Sequence, residues 1–280
     1  MTSVSAPRLE VVVLGCGSSA GVPRADGAWG ACDPTDPRNR RSRCSLLVRR
    51  RGTEGAANET TLVVDAAPEF RLQTSAAGAR RLDALLITHD HADQCHGIDD
   101  IRAFAITQRQ RIPCWADEGT RESLLRRFGY VFQGQGPYPA IADLNPTPEY
   151  DTPWAIDGPS GSIPVITFEQ DHGFGSKSLG YRFGPVAYSS DVVELPEATF
   201  AALKNLDLWI VDALRYTPHP THAHVDKTLA WIDRVKPRRA ILTNMHIDLD
   251  YAELARSLPD VVQPAYDGFS IEVELSAAPA

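Results

Sequence analysis

Four side chains that commonly bind transition metals lie close together in residues 88–96: His89, His91, Asp93 and His96. Imidazole nitrogens and carboxylate oxygens suit zinc, manganese or iron. Only 8 of the 280 residues are histidine, so three of them in so short a stretch favour a shared role over chance. In an extended turn, His89 and His91 point the same way and can hold one ion, and Asp93 then projects towards a neighbouring position.

Other residues with ligand chemistry follow short apolar runs further along the chain. His172, Asp191 and His246 each come just after such a run. Taken alone, His172 is typical of a core or capping histidine, and Asp191 is typical of a helix N-cap. Together with the 88–96 segment they predict a composite site, because the two oxygens of one carboxylate can bridge two cations.

The elements that must position these residues are short runs rich in Val and Ile that end in turn residues. They predict buried strands at residues 9–14, 44–48, 61–64, 84–87, 163–168, 186–188, 206–211, 239–242 and 269–273. Helical periodicity predicts helices that begin near Gly97, around Leu124 to Phe128, and over Val225–Val235 before Pro237. This alternation indicates the α/β class, in which loops that leave rigid strands converge on a site.

Composition narrows the class of protein. The chain is 43% hydrophobic and 23% charged, and 28 Lys+Arg against 36 Asp+Glu give a formal net charge of −8. Nucleic acid is not an expected partner, because non-specific duplex binding depends on phosphate neutralisation by Lys and Arg. No membrane partner is expected, since no run of 18 apolar residues exists. Five cysteines without CxxC spacing, and no visible secretory signal, predict reduced thiols and a cytoplasmic location.

Residues 134–161 are dense in Pro and Gly. Such a stretch could link two domains. We expect instead a single domain over residues 1–280, with an excursion at 134–161, because the residues with ligand chemistry lie on both sides of the stretch.

The pattern His89-x-His91-x-Asp93, followed by the ligand residues after later strands, resembles the metallo-β-lactamase fold superfamily over nearly the whole chain. Residues 14–23, 218–222 and 242–250 are similar to its phosphoribosyl 1,2-cyclic phosphate phosphodiesterase branch. The resemblance implies a four-layer αββα sandwich and two divalent metal ions, zinc or manganese. It also implies hydrolysis of a small cyclic phosphodiester by metal-activated hydroxide, and it is compatible with a homodimer.

The resemblance implies a role for each residue of the site. It assigns three ligands to a first ion, two to a second and one that bridges: His89, His91 and His172; Asp93 and His246; and Asp191. His222 would give a proton to the leaving oxygen, with Asp93 as the other catalytic residue. Asp65 would order the metal loops without binding an ion.

One position departs from the superfamily pattern HxHxDH. This chain has Gln94 where the last histidine would stand. An amide is a weaker ligand for a transition metal than imidazole. Three arrangements are therefore open: the second ion binds weakly, His96 replaces the missing group, or the site holds one ion.

Residues 38–51 are rich in arginine and contain no acid. Arg40 and Arg41 are the candidate contacts for a substrate phosphate, because a guanidinium can bind phosphate through two hydrogen bonds. A solvated surface turn is the alternative interpretation.

The expected partner is a small anionic substrate. Two other classes of function stay open, because a fold does not fix a substrate. The first is another hydrolase on this scaffold, such as a thioesterase, lactonase or RNA-processing nuclease. The second is a non-catalytic metal-binding or ligand-sensing protein, which Gln94 would favour.

Overall fold

The structure, a computed structural model that describes residues 7–52 and 58–275, contains two seven-stranded β-sheets. The first sheet is formed by β1 (Arg8–Gly15), β2 (Ser45–Arg51), β3 (Thr60–Val64), β4 (Ala84–Leu86), β5 (Ile112–Ala116), β6 (Ala142–Pro146) and β14 (Phe269–Glu274). The second is formed by β7 (Pro153–Ile156), β8 (Ile163–Asp171), β9 (Lys177–Phe183), β10 (Val186–Ser189), β11 (Leu208–Asp212), β12 (Arg239–Thr243) and β13 (Val262–Pro264).

Seven α-helices are described along the chain. They are α1 (Phe70–Ala76), α2 (Ala92–Cys95), α3 (Arg102–Gln108), α4 (Glu118–Gln133), α5 (Thr199–Ala202), α6 (Val225–Val235) and α7 (Tyr251–Ser257). No helix within the described ranges is both long and apolar enough to cross a membrane. All five cysteines are buried and free.

The alternation of side chains along β1 shows why the molecule has four layers. Val11 and Val13 pack in the core between the two sheets, whereas Val12 and Leu14 pack in a second core against helices that include α1 and α4. Successive side chains of a strand point to opposite faces, so a strand with apolar residues on both faces must be covered on both. The expected αββα sandwich of the α/β class is therefore confirmed.

Each sheet combines an antiparallel and a parallel half. The strand order is β14-β1-β2-β3-β4-β5-β6 in the first sheet and β13-β12-β11-β10-β9-β8-β7 in the second. Strands β3 to β6 are parallel, and so are β10 to β13. The carboxyl ends of parallel strands meet at one edge of a sheet, which is where ligand sites form in α/β folds.

All the strands expected from the apolar runs are present, and α6 has the expected bounds. The helix expected near Gly97 begins as a 3-10 turn over Ile98–Ile101 and continues as α3. Five strands were not expected: β5, β6, β7, β9 and β13. Strand β9 (KSLGYRF) lacks an apolar run, and β13 has only three residues.

The Pro/Gly-rich stretch at 134–161 contains β6 and β7. Strand β6 is the edge of the first sheet and β7 is the edge of the second. The stretch therefore carries the chain from one sheet to the other. Proline is tolerated here because an edge strand has one side without ladder hydrogen bonds.

Candidate metal centre

Three polar residues turn the chain within two positions of the ends of strands in the two sheets. Asp65, Asp191 and Asn244 follow β3, β10 and β12, and their φ angles are 65°, 52° and 60°. Asp and Asn are enriched among the non-glycine residues that adopt this left-handed conformation. All three are buried. The sequence thus supplies, at strand ends, residue types that can both make the turn and present a polar group.

Three histidine rings lie together at these strand ends. The ring centroids are 4.4 Å apart for His89 and His91, 4.8 Å for His89 and His172, and 5.1 Å for His91 and His172. Nε2 of His172 lies 3.3 Å from Nδ1 of His91. Two imidazole nitrogens bound to one tetrahedral zinc at 2.0–2.1 Å lie roughly 3.3–3.4 Å apart. The three side chains can therefore hold one metal ion.

The protonation of His89 follows from its neighbours. The hydroxyl of Thr88 donates to the carboxylate of Asp65 at 3.0–3.1 Å, so it accepts from Nδ1 of His89 at 3.0 Å. Nε2 of His89 is then the bare nitrogen, and it is buried without a hydrogen-bond partner. An unpaired buried acceptor costs free energy, which a bound cation would offset. This buried nitrogen is a direct sign that the site suits a metal.

His172 is oriented in a similar way. Its Nδ1 donates to the backbone carbonyl of Thr221 at 2.9 Å, which leaves Nε2 free to bind an ion. Burial lowers the pKa of both His89 and His172, and the charges of neighbouring histidines also lower the pKa of His89. Both rings are therefore neutral near pH 7, so an ion does not compete with a proton.

Two carboxylates and an amide border the histidines. Nε2 of Gln94 donates to Oδ2 of Asp93 at 3.2 Å and to Oδ2 of Asp191 at 3.1 Å. Gln94 is fully buried. Burial raises the pKa of Asp93, and the negative charge of Asp191 raises it further. Asp191 also forms a second group of potential ligands with His172 and His222.

His222 is bound to the buried carboxylate of Asp212. Its Nδ1 lies 2.9 Å from Oδ2 of Asp212 and 3.9 Å from Oδ1 of Asp191. The amide of Asn244 lies 3.3 Å from the same Asp212 oxygen and 3.1 Å from His222 Nδ1. Burial alone would lower the pKa of His222, but the charge and hydrogen bond of Asp212 raise it to about 9. His222 is thus held as a proton-bearing ring beside the histidine cluster.

Two histidines proposed as ligands lie elsewhere. His246 belongs to neither group of potential ligands: its Nε2 contacts Arg24, and its Nδ1 lies 3.0 Å from a carboxylate oxygen of Asp248. His96 is exposed, and its ring lies beside Arg127 and Phe128. It ends the short helix α2, and the structure does not bring it to the position that Gln94 occupies.

The two arginines expected to contact phosphate differ from that expectation. Arg41 is buried, and its guanidinium donates to the carbonyls of His246 and Leu249. Those hydrogen bonds hold the loop that follows β12. Arg40 is exposed and its guanidinium lies 5.1 Å from the ring of Trp29. The structure gives Arg41 a structural role, because charged groups buried away from water must be hydrogen-bonded.

Three further residues contact the site, although no role was predicted for them from the sequence: Thr88, Asp212 and Asn244. Each stands within two positions of the end of an apolar run, so a polar residue near that point was the available signal. The position alone did not show which of Asn244 and His246 faces the site.

Asp65 is expected to support the metal loop through Thr88, as the resemblance implied. It is buried, and it accepts the backbone N–H of Thr88 at 2.8 Å as well as its hydroxyl. Replacing Asp65 by Asn keeps the left-handed turn but removes one acceptor oxygen. We expect the free energy of unfolding to fall by about 1–3 kcal/mol and the metal affinity by roughly 10–100-fold.

Urea denaturation of the metal-free protein and metal titration measure these two effects. The matched control is Asp233→Asn on the exposed face of α6, where both quantities should stay unchanged. An Asp65→Asn protein that matches the wild type in both would contradict this role.

Comparison with known proteins agrees with the fold. A family model described as "Beta-lactamase superfamily domain" matches residues 60–247. A solved structure, "Crystal Structure of a New Diphosphatase from the PhnP Family", is 32% identical, with a TM-score of 0.82 over 96% of this chain and 98% of that chain. The zinc-bound PqqB of Methylobacterium extorquens is 16% identical, with a TM-score of 0.70 over 94% of this chain and 99% of that chain.

A curated relative has a different description. The protein named "Octanoyltransferase" of Porphyromonas gingivalis (strain ATCC BAA-308 / W83) is 27% identical over 274 residues, which is 95% of this chain. The chain spans only 52% of the length of that protein.

Proposed function

Because the chain belongs to the beta-lactamase superfamily, we propose that this hydrolase of the metallo-β-lactamase fold cleaves a small anionic phosphodiester, such as phosphoribosyl 1,2-cyclic phosphate. The observation that carries the proposal is the similarity to the PhnP-family diphosphatase, which extends over 96% of the chain at 32% identity. That relative also favours a second candidate, a diphosphate. In both substrates water attacks phosphorus and an oxygen leaves.

The residues at the site fit a divalent metal. His89, His91 and His172 would hold zinc or manganese, with Asp191 within reach as a further donor. Such an ion supplies Lewis-acid activation of water and of a phosphoryl oxygen. The chain orients the ligands: Thr88 and Thr221 bind the Nδ1 atoms of His89 and His172 and so direct both Nε2 atoms.

His222 is the proposed proton donor to the leaving oxygen. A general acid must carry a proton at the working pH and lie beside the reacting group. Asp212 binds Nδ1 of His222, and against the effect of burial this carboxylate, with the charges of Asp191 and Asp93, raises the pKa of the ring to about 9. The ring centroid of His222 lies 5.0 Å from that of His172, so the proton is held next to the metal ligands. Asp93 borders the same space and is proposed to act with it.

An anionic substrate is supported by Arg215 and by the Arg24–His246 pair, which lie near His219. Arg24 contacts His246 through its guanidinium, and the Arg215 guanidinium donates to backbone carbonyls. Neither arginine has a carboxylate within ion-pair distance in residues 7–52 and 58–275. Burial lowers the pKa of His219, and the charges of His222, Arg215 and His246 lower it further; the ring of His219 is 5.3 Å from that of His222. Positive charge therefore borders the site in a chain of net charge −8.

A substrate panel tests the proposal. We expect kcat/KM for a cyclic phosphodiester or a nucleoside diphosphate to exceed that for an octanoyl thioester and a lactone by roughly 100-fold or more. The phosphorus-directed activity should be lost in EDTA and return with Zn²⁺ or Mn²⁺, because the proposed chemistry needs the ion.

The thioester arm represents the octanoyltransferase relative, and the lactone represents the other hydrolases on this scaffold. A preference for the thioester or the lactone, or phosphodiester cleavage that is unaffected by EDTA, would overturn the proposal.

A further inference from the structure

The two groups of potential metal ligands share one residue. His172 belongs to both: the first group adds His89 and His91, and the second adds Asp191 and His222. Nδ1 of His172 donates to the carbonyl of Thr221, so Nε2 is its only free donor atom. One nitrogen lone pair binds one ion. His172 can therefore bind an ion in only one of the two groups at a time, and Asp191 is a further potential donor for that ion.

The space between Asp93 and Asp191 is spanned by the amide of Gln94. Two carboxylates that face each other need a positive partner, and in most two-metal sites that partner is the second cation. Here Nε2 of Gln94 donates to both, at 3.2 and 3.1 Å. This orientation leaves Oε1 of Gln94 buried without a partner. The two hydrogen bonds that Nε2 donates to the carboxylates therefore stabilise this orientation more than the missing hydrogen bond at Oε1 destabilises it.

The other imidazole that the described part of the chain groups with Asp191, that of His222, is bound through its Nδ1 to Asp212. Asn244, the residue after β12 that faces the site, donates its amide to Asp212 and lies beside His222. His246 contacts Arg24 and Asp248 instead, and His96 lies beside Arg127. An amide is a neutral group that offers an uncharged oxygen at best, which suits Mg²⁺ or Ca²⁺ better than zinc.

We infer that this centre holds one divalent transition-metal ion, and that the amide of Gln94 replaces a second ion by donating hydrogen bonds to Asp93 and Asp191. The inference rests on the metal-dependent part of the proposed function. It departs from the two-ion site that the family resemblance implies, because the group that bridges Asp93 and Asp191 is the amide of Gln94.

Metal stoichiometry tests the inference without using activity. The wild-type protein is saturated with Zn²⁺ or Mn²⁺, freed of loose metal by gel filtration, and measured by mass spectrometry of the metal. We expect one ion per chain. Replacing Gln94 by His removes the bridging amide and adds an imidazole beside both carboxylates, and we expect two ions per chain. Gln110→His, which adds an imidazole at an exposed position after α3, controls for non-specific binding and should stay at one.

Manganese electron paramagnetic resonance gives a second readout, because two ions roughly 3.5–4 Å apart couple magnetically and a lone ion does not. Two tightly bound ions in the wild type, or a coupled spectrum, would overturn the inference and leave the proposed function intact. A wild type that binds no ion would overturn both. A folded Gln94→His protein that still binds one ion would overturn the role of the amide.

Discussion

Replacing His91 by alanine is expected to abolish the proposed phosphodiester cleavage and to lower the metal content of the protein. His91 contributes one of the three nitrogens of the cluster, with its Nδ1 3.3 Å from Nε2 of His172. Loss of metal removes several kcal/mol of transition-state stabilisation. At 1.36 kcal/mol per tenfold change, kcat/KM should fall by about 10³-fold or more. His91 is exposed, so we expect the fold to survive the substitution.

The matched control for this experiment is His96→Ala. It removes a histidine from the same short segment, but one that lies outside the ligand groups and beside Arg127. Its metal content and kcat/KM should stay within about twofold of the wild type. Unchanged turnover in His91→Ala, or an equal loss in His96→Ala, would remove the assignment of this site.

The second large effect is expected at His222. The alanine variant should lose about 10²–10⁴-fold in kcat, the usual contribution of general acid catalysis, while its metal content stays at the wild-type value. The combination is informative, because the second ligand group contains His222 together with His172 and Asp191. A His222→Ala protein that loses its metal would make this residue a ligand and not a proton donor.

The pH dependence of kcat in the Asp212→Asn protein tests whether Asp212 supports the role of His222 as proton donor. Burial lowers the pKa of His222, but the charge and hydrogen bond of Asp212, together with the charges of Asp191 and Asp93, raise it from its ordinary 6.5 to about 9. Without the carboxylate the pKa falls, so the alkaline limb of kcat should move to lower pH than in the wild type.

The pH dependence of the free energy of unfolding should also depend on the Asp212–His222 pair. Because the pKa of His222 is raised in the folded protein, its protonation contributes stability that is fully present below pH 6.5. This contribution to the free energy of unfolding is lost as the pH rises towards 9. The free energy of unfolding of the metal-free wild type should therefore fall across this range, and Asp212→Asn should show less of that fall. Coincident pH profiles for the two proteins would contradict the pairing.

The ligand types and their order along the chain follow from the sequence alone. His89-x-His91-x-Asp93 is a local pattern, and strand-ending polar residues such as His172 and Asp191 follow apolar runs that define the strands around them. Hydrophobic periodicity reports burial of one or both faces of an element. For that reason the α/β class and most strands could be predicted, whereas the short or polar strands β9 and β13 could not.

The partner of each buried polar group was decided only when distant segments came together. Gln94 and Asp191 are 97 residues apart, and Arg41 lies 208 residues from the Leu249 carbonyl that it binds. A sequence shows that a residue can donate or accept, but burial requires each polar group to find whichever partner the packed loops supply. Because of this requirement, the Arg41 side chain lies inside the protein and Asn244 lies beside His222. The spacing of residues along the sequence predicts neither contact.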